Sequence, residues 1–241
     1  MILVTGATGF LGKRLCSLLD DRGLDFERTS LTLGLDLTNE YDTKKYIKSI
    51  KPTCVLNCAA YVGGIKYGYD SPVDLFHNNL KIILNLLSAS KEAAVKRIVN
   101  PISNCAYPAR STFFSEEGFW DGPMHESVLA YGFVRKALWV GSWAYNKQYS
   151  LDAVNLIFSN MYGPQDHFNE SRSHALGALV MKIVSAKMEN QSSVDVWGSG
   201  MPIREWLHVD DACEAMLKAM HIERHIDPIN VGVGKGISIA D

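Results

Sequence analysis

The chain lacks the cysteine pattern of a disulfide-bonded or zinc-binding protein. Its five cysteines are odd in number, and no two of them stand in CxxC spacing. They lie at Cys16, Cys54, Cys58, Cys105 and Cys213. Secreted disulfide frameworks use even numbers of cysteines, and structural zinc sites use closely spaced pairs. We therefore expect free thiols, no metal site and a reducing, cytoplasmic compartment.

Strong net charge and long apolar runs are also missing. The 24 Lys and Arg residues against 26 Asp and Glu residues give a formal net charge of −2. This balance gives no electrostatic reason to bind nucleic acid or an anionic membrane. No apolar run approaches the ~20 residues that span a bilayer, and Met1 leads into an apolar stretch without the basic region of a signal peptide. We expect no nucleic-acid partner and no membrane association.

Short apolar runs alternate with longer amphipathic segments along the chain, which is typical of a parallel sheet covered by helices. With 241 residues, of which 47% are hydrophobic, the chain can bury a sizeable core. The predicted strands are Met1–Thr5, Phe26–Arg28, Leu31–Leu35, Thr53–Asn57, Arg97–Ile102, Ala153–Phe158, Val194–Trp197 and Glu205–Val209. The predicted helices are Phe10–Arg22, Tyr41–Ile50, Val73–Ala94, Leu129–Gln148, Ala175–Lys187 and Asp211–Met220. We predict an α/β fold with a Rossmann-type parallel sheet and helices on both faces.

A glycine-rich segment joins the first predicted strand to the first predicted helix, in GxxGxxG spacing. In such a turn the first glycine permits a tight bend, the second lets backbone approach a pyrophosphate, and the third lets the helix pack on the strand. The helix N-terminus presents its free amide groups to the phosphates. The segment predicts a dinucleotide site that contains Gly6, Thr8, Gly9, Phe10, Leu11 and Gly12.

The chain is expected to divide into two parts. Residues 1–160 form the predicted dinucleotide-binding domain, and residues 161–241 a smaller substrate-binding region interleaved with the last elements of the sheet. Ile237–Asp241 looks like the opening turn of a further helix. Since the sequence stops there, we expect the C-terminal part to be incomplete.

The glycine spacing resembles that of the extended short-chain dehydrogenases. Asp36 and Leu37 resemble the acidic–apolar pair that contacts adenine in that superfamily, and Asn57–Ala60 resembles the strand end against which the cofactor lies. The resemblance implies that Asp36, Leu37, Ala59 and Ala60 bind a nicotinamide dinucleotide.

The choice between NADP and NAD depends on the end of the second predicted strand. Arg28 is placed to accommodate the 2′-phosphate of NADP, although it can equally be a solvated surface arginine. Thr8 stands where relatives specific for NADP can carry arginine. We favour NADP and leave NAD open.

The superfamily performs its redox chemistry with a serine and a Tyr-x-x-x-Lys pair, which Ser103 and Tyr131 resemble. Residues at i and i+4 share a helix face, and a cation there lowers the pKa of the phenol. Here that position is Arg135, and the lysine comes one residue later at Lys136, about 100° around the helix. Arginine keeps the charge and can hold ribose hydroxyls, but it cannot relay a proton. Three interpretations stay open: Arg135 substitutes for lysine, a helix bulge brings in Lys136, or the redox step is impaired.

Several segments resemble the GDP-L-fucose synthases, which epimerise and then reduce GDP-4-keto-6-deoxy-mannose with NADPH. The resemblance runs over the whole chain, and its Ser-x-Cys and Ser-His elements are more specific than the glycine turn. The segments are Tyr61–Ile65, Ser103–Pro108, Asn160–Pro164, Ser173 with His174, and Val196–Asp211.

The resemblance implies roles for individual residues. Cys105 and His174 would be the acid and base that invert C3 and C5, since a C4 ketone acidifies those C–H bonds and both side chains titrate within reach of neutral pH. Tyr131 would protonate the C4 oxygen while Ser103 holds it by a hydrogen bond. Contacts to the GDP-sugar, and in the case of Asn160 also to the cofactor, are implied for Asn160, Lys182, Trp197 and Arg204.

Other functions stay open. The chain can be a single-function epimerase or 4-reductase acting on a related nucleotide sugar such as a GDP-6-deoxy-heptose. It can also be a dinucleotide-binding module with impaired catalysis, which Arg135 and the early chain end motivate. By resemblance we expect a homodimer formed through the helices Val73–Ala94 and Leu129–Gln148, which carry more apolar side chains than one helix face needs.

Overall fold

The computed structural model describes residues 1–63, 65–166, 175–196 and 198–241. Within these ranges, one sheet contains six strands in the order β2-β1-β3-β4-β5-β8, and every neighbouring pair is parallel. Its strands are β1 (Ile2–Thr5), β2 (Phe26–Thr29), β3 (Cys54–Asn57), β4 (Arg97–Ser103), β5 (Asp152–Phe158) and β8 (Ile229–Val231). The predicted Rossmann-type α/β class is confirmed.

Helices connect the strands and cover the sheet. They are α1 (Phe10–Asp21), α2 (Glu40–Ile50), α3 (Ile65–Asp70), α4 (Pro72–Glu92), α5 (Leu129–Tyr149), α6 (Ala175–Met188) and α7 (Val209–Ala219). Within the described ranges, every helix is too short or too polar to traverse a bilayer.

Neighbouring residues of each central strand point to opposite faces of the sheet, so each strand serves two cores. Val4 packs with Leu15 of α1 and Met216 of α7 on one face. Leu3 packs with Leu86 of α4 and Leu138 of α5 on the other. Because both faces are buried, the strands read as continuous apolar runs, which is why they were predictable.

A row of polar side chains crosses the second of these cores. Thr5 donates to Asn57 at 2.9 Å, Asn57 donates to Asn100 at 3.0 Å, and Asn100 donates to Asn155 at 3.2 Å. Ser142 of α5 closes the row by donating to Asn155 at 3.3 Å. All five residues are at most 1% exposed. The row ties four neighbouring strands to α5 and fixes their register, since a slip would leave buried amides unpaired.

A smaller sheet stands beyond the carboxyl end of β5. It contains β6 (Asn160–Tyr162), β7 (Ile203–His208) and β9 (Gly236–Ser238), with β6 parallel and β9 antiparallel to β7. The predicted helical opening at Ile237–Asp241 was therefore wrong for Ile237 and Ser238, which end β9. Ile237 pairs with Arg204, because β7 presents an open edge whose backbone groups an extended segment can satisfy.

Two predicted strands are also absent from the described residues. Leu31–Leu35 was predicted as a strand, but Leu31–Leu33 forms a 3-10 turn capped by Ser30, and Leu31 is 70% exposed. Leucines that lie on a surface turn gave a false apolar signal. In Val194–Trp197, residues 194–196 form no strand, and Trp197 lies outside the described residues.

Candidate active site

The glycine turn between β1 and α1 has the close approach that its spacing predicts. Gly6 has φ +63, and a Cβ there would lie 2.5 Å from the carbonyl carbon of Cys58. A Cβ on Gly12 would lie 2.2 Å from the carbonyl oxygen of Gly6. Only glycine fits at these two positions, since the turn is wedged between the end of β3 and the first turn of α1.

The N-terminus of α1 is open to an anion. Gly9 is its N-cap and provides no side-chain cap, and the first turn carries no acidic residue. The unpaired amides of this turn, including those of Phe10 and Leu11, are donors that a pyrophosphate can accept from. The turn and the helix end together fit a dinucleotide.

Two further segments carry the predicted adenine and cofactor contacts. Ala59 and Ala60 follow β3, and the amide of Ala59 donates to the side chain of Asn57 at 3.2 Å. Leu37 is buried, whereas Asp36 is exposed and accepts two hydrogen bonds from Thr38, both at 2.8 Å. Their contacts with adenine stay a prediction.

Arg28 lies in β2 and lines a cleft beside the glycine turn. Thr8, Lys13 and Ser17 line the same cleft. Its position is therefore compatible with the predicted contact to a 2′-phosphate.

The catalytic candidates gather at the carboxyl end of β4. Ser103 ends that strand, and its hydroxyl accepts the amide of Cys105 at 3.3 Å in the 3-10 turn that follows. Tyr131 enters from the first turn of α5. A Cβ on Gly132 would lie 2.9 Å from the carbonyl oxygen of Cys105, so glycine at this position lets α5 come close to the turn.

Arg135 takes the place next to Tyr131. Its guanidinium carbon lies 4.8 Å from the centre of the Tyr131 ring, and the side chain is only 3% exposed. Its Nη2 donates to Oδ1 of Asn79 at 2.7 Å. Among the described residues, its Nε is buried without a hydrogen-bond partner. The guanidinium therefore supplies a fixed positive charge and retains an unused donor.

Asn79 of α4 is a site residue that the sequence analysis missed. Its Oδ1 also accepts the amide of Tyr61 at 3.0 Å, while its Nδ2 donates to the carbonyls of Tyr61 at 2.8 Å and Leu75 at 2.6 Å. Asn79 thus joins the loop after β3 to Arg135. A signal was present, because Asn79 interrupts the apolar stripe of Leu75 and Ile83 at i+4 spacing.

Lys136 points away from this cluster. Its Nζ donates to the carbonyl of Phe119 and lies 4.4 Å from the centre of the Trp120 ring. α5 is a continuous α-helix through this point. The interpretation in which a bulge brings Lys136 into the site is therefore wrong, because the lysine is held on another face of the helix by an aromatic pocket.

The cluster is electrostatically coupled. Burial raises the pKa of Tyr131, whereas Arg135 lowers it and Cys105 raises it. Burial also raises the pKa of the Cys105 thiol, against the lowering effects of the Ser103 hydrogen bond and the Arg135 charge. Arg135 thus favours the deprotonated form of both groups, and burial opposes it.

The predicted substrate residues lie farther along the chain. Asn160 begins β6 and donates to the carbonyl of Glu205 at 3.2 Å, and Lys182 of α6 donates to the carbonyl of Asp195 at 2.8 Å. Arg204 of β7 is exposed and donates to the carbonyl of Ile203 at 2.8 Å. The other two candidates, His174 and Trp197, lie outside the described residues.

The glycine turn after β1 and the cluster of Ser103, Tyr131 and Arg135 after β4 stand at the carboxyl edge of one parallel sheet. This arrangement defines an enzyme of the short-chain dehydrogenase/reductase class. The chain belongs to the NAD dependent epimerase/dehydratase family, whose model matches residues 2–232.

Individual relatives agree with this assignment. The chain is 31% identical to GDP-L-fucose synthase 1 of Arabidopsis thaliana, with 100% of this chain and 75% of that protein covered. It is 30% identical to the GDP-L-fucose synthase of Escherichia coli strain K12, with 100% and 78% covered. A crystal structure of a GDP-L-fucose synthetase from Naegleria fowleri bound to NADP matches with a TM-score of 0.88 at 28% identity, covering 97% of this chain and 77% of that one.

Proposed function

We propose that the protein is an NADP(H)-dependent 3,5-epimerase/4-reductase of a GDP-4-keto-6-deoxy-hexose, which yields a GDP-6-deoxy sugar such as GDP-L-fucose. Full-chain similarity to proteins named GDP-L-fucose synthase supports this function. The observation that carries it is the position of Cys105: its amide donates to Ser103 Oγ at 3.3 Å, and its carbonyl oxygen would lie 2.9 Å from a Cβ on Gly132, the residue after Tyr131. A reductase alone needs no thiol in this place.

The residues present fit NADP(H). The open N-terminus of α1 holds the pyrophosphate, and Gly6 and Gly12 allow the chain to come close to it. NADPH bound here supplies the hydride for C4 of the sugar. We assign Arg135 to the ribose hydroxyls as well, since a guanidinium offers several donors.

Tyr131 donates its proton to the C4 oxygen during reduction, and Ser103 holds that oxygen with its hydroxyl. The pKa of Tyr131 is raised by burial, so the phenol carries its proton at neutral pH. Arg135 stabilises the phenolate that remains.

The thiol acts in epimerisation. The C4 ketone acidifies the C–H bonds at C3 and C5, so one group removes a proton from one face and another returns a proton to the opposite face. We assign these two parts to Cys105 and His174. Because burial raises the pKa of Cys105, its thiol is protonated at neutral pH, and the charge of Arg135 helps to stabilise the thiolate once a proton is given up.

The substrate is held by residues of the C-terminal part. We assign the GDP-sugar to Asn160, Lys182, Trp197 and Arg204, with the two cations near the diphosphate. Lys182 stands where the family pattern has arginine. Its ammonium is a point charge, so its interaction with the diphosphate is less directional than the bidentate hydrogen bonds of a guanidinium.

The test uses GDP-4-keto-6-deoxy-mannose in deuterated water. Without NADPH, we expect deuterium at C3 and C5 by mass spectrometry and NMR; with NADPH, we expect GDP-L-fucose. Tyr131→Phe should abolish reduction and retain exchange, whereas Cys105→Ser should slow exchange. Exchange with no NADPH consumed in the complete mixture would rule out the dual activity.

Arg135 decides between an active enzyme and an impaired module. It keeps a positive charge against the Tyr131 ring, which favours activity. Tight NADPH binding with no turnover of any 4-keto sugar would favour the impaired module. Reduction without exchange, including reduction of a GDP-6-deoxy-heptose precursor, would favour the single-function reductase.

The remaining proposals concern organisation. A homodimer through α4 and α5 is supported by exposed apolar residues on both helices, such as Leu84 at 58% and Trp143 at 43% exposure. We retain the division into a dinucleotide-binding part (1–160) and a mainly substrate-binding part (161–241). The free cysteines support a cytoplasmic location.

A further inference from the structure

Tyr107 joins the turn that carries Cys105 to a distant strand. The turn Asn104–Ala106 follows β4, and Tyr107 is its C-cap, with its amide donating to the carbonyl of Asn104 at 3.0 Å. The phenol hydroxyl donates to Oδ1 of Asn230 in β8 at 2.8 Å. Since β5 lies between β4 and β8, this hydrogen bond reaches across one strand of the sheet. The turn is therefore fixed to β8 as well as to the strand that it follows.

The packing of the Tyr107 ring fixes the direction of its hydroxyl. The ring is stacked on Phe114, with ring centres 4.5 Å apart and an interplanar angle of 3°. It stands nearly perpendicular to the ring of Phe119, with centres 5.3 Å apart, and the residue is only 3% exposed. Burial raises the pKa of Tyr107 to about 12, so the phenol remains a hydrogen-bond donor at neutral pH.

Asn230, the acceptor of this hydrogen bond, is itself held from several sides. It lies in β8 opposite Ile157 of β5, and its amide donates to Oε1 of Glu116 at 2.8 Å. Its Nδ2 donates to the carbonyl of Phe114 at 2.9 Å. Because a carbonyl can only accept, this contact fixes the orientation of the side-chain amide, and Oδ1 faces the phenol. The hydrogen bond thus ties the turn to a rigid part of the sheet.

We propose that Tyr107 and Asn230 are positioning residues for the Cys105 thiol. The inference rests on the proposed function, in which Cys105 transfers a proton to or from the sugar. Proton transfer requires the two heavy atoms within hydrogen-bond reach, and a displacement of about 1 Å can slow a reaction about 100-fold. Tyr131 and Ser103, the residues assigned to reduction, are placed by α5 and by β4 themselves. Loss of the hydrogen bond should therefore slow epimerisation far more than reduction.

The test begins with Tyr107→Phe, which removes the hydroxyl and keeps the ring against Phe114. With GDP-4-keto-6-deoxy-mannose in deuterated water and no NADPH, we expect deuterium to enter C3 and C5 about 10-fold more slowly, as followed by NMR. With NADPH, a larger share of the reduced sugar should retain the substrate's configuration at C3 or C5, since reduction then overtakes inversion. The Kd of NADPH, measured by calorimetry, should change less than about twofold.

Asn230→Ala removes the acceptor of the same hydrogen bond. Because the two substitutions share one interaction, the double variant should slow deuterium entry into the sugar less than the product of the two single effects. A second measurement needs no substrate: backbone amide hydrogen exchange, followed by mass spectrometry, should become faster at residues 103–108 in both single variants.

Tyr46→Phe is the matched control, since it removes a phenol hydroxyl that is hydrogen-bonded to Thr29, on α2 and away from the Cys105 turn. It should leave the rate of deuterium entry and the product configuration unchanged. Equal slowing by Tyr46→Phe and Tyr107→Phe would overturn the inference, and so would an equal loss of deuterium entry and NADPH affinity in Tyr107→Phe.

The unaltered protein separates this inference from the proposed function. If it introduces no deuterium into the sugar, the proposed function itself fails. If it does so and Tyr107→Phe is equally fast, only the positioning role is wrong.

Discussion

A guanidinium lies against the ring of Tyr131 where the superfamily has an ammonium, and this difference has a measurable consequence. Arg135 favours the phenolate, so its removal raises the pKa of Tyr131. The protonated phenol is the form that donates to the ketone, so activity falls as pH rises through that pKa. Arg135→Met should therefore move the basic limb of the kcat profile to higher pH and lower kcat about 100-fold.

Arg135→Lys keeps the charge and should retain most of the activity. Arg224→Met removes an exposed arginine and serves as the control. The profiles should start near pH 7 and extend well above about pH 10, the ordinary value for a phenol, because burial raises the pKa of Tyr131. A limb that stays in place or moves to lower pH would contradict the role given to Arg135.

Asn79 acts on the same phenol indirectly, as a positioning residue. Asn79→Ala leaves Nη2 of Arg135 buried without its 2.7 Å acceptor, which should lower the free energy of unfolding by about 1–3 kcal/mol. If Arg135 then leaves the Tyr131 ring, the basic limb of kcat should also shift upward, while KM changes little.

Asn146→Ala separates positioning from stability. Asn146 is a buried asparagine of α5 that donates to the carbonyl of Leu151 at 3.1 Å, at the opposite end of the helix from Tyr131. Its loss should destabilise the protein in urea unfolding without moving the limb. Identical pH profiles for both variants would reduce Asn79 to a structural role.

At the scale of elements, the glycine turn is a junction between β1, β3 and α1. A Cβ on Gly12 meets the carbonyl oxygen of Gly6 at 2.2 Å, whereas a Cβ on Gly9 meets the same atom at 3.3 Å. Gly12→Ala must therefore displace α1 from the strand. We expect loss of about 2–3 kcal/mol of stability and at least a 10-fold rise in the Kd of NADPH.

Gly23→Ala is the matched control for that variant. Gly23 has φ +61 and open space around it, so alanine meets only backbone strain of about 1 kcal/mol. It should lower Tm slightly and leave the Kd of NADPH unchanged. Equal effects of Gly12→Ala and Gly23→Ala on cofactor affinity would show that the close approach at Gly12 is not needed for binding.

The elements also show what sequence can and cannot predict. β1, β3, β4 and β5 are buried on both faces, so their apolar runs located them within about one residue. Ile237 and Ser238 were misread because their partner β7 is distant in sequence, and pairing across such a distance leaves no local pattern. The same holds in the site: Ser103 and Tyr131 were found by motif, whereas the helical spacing marks Asn79 only as a polar residue in an apolar stripe. Its contacts to Tyr61 and Arg135 depend on tertiary packing.

At the scale of the whole molecule, the proposed dimer depends on surfaces away from the glycine turn. α4 and α5 pack side by side and expose Leu84 at 58%, Phe133 at 48% and Trp143 at 43%. A two-fold axis through the α4–α5 surface would bring four helices together. Each substitution would then change the interface at two places, one in each subunit. Trp143→Glu should therefore weaken the dimer at least about 30-fold, as loss of an aromatic hot spot does.

Val184→Glu supplies the comparison, because Val184 is also apolar and is 50% exposed on α6. Sedimentation velocity at micromolar concentration should show a dimer for the unaltered protein and for Val184→Glu, and a monomer for Trp143→Glu. The monomer should still bind NADPH, since the glycine turn and α1 belong to one chain. If only Val184→Glu dissociates the dimer, the interface lies on α6. If the unaltered protein is a monomer, the proposed dimer is wrong.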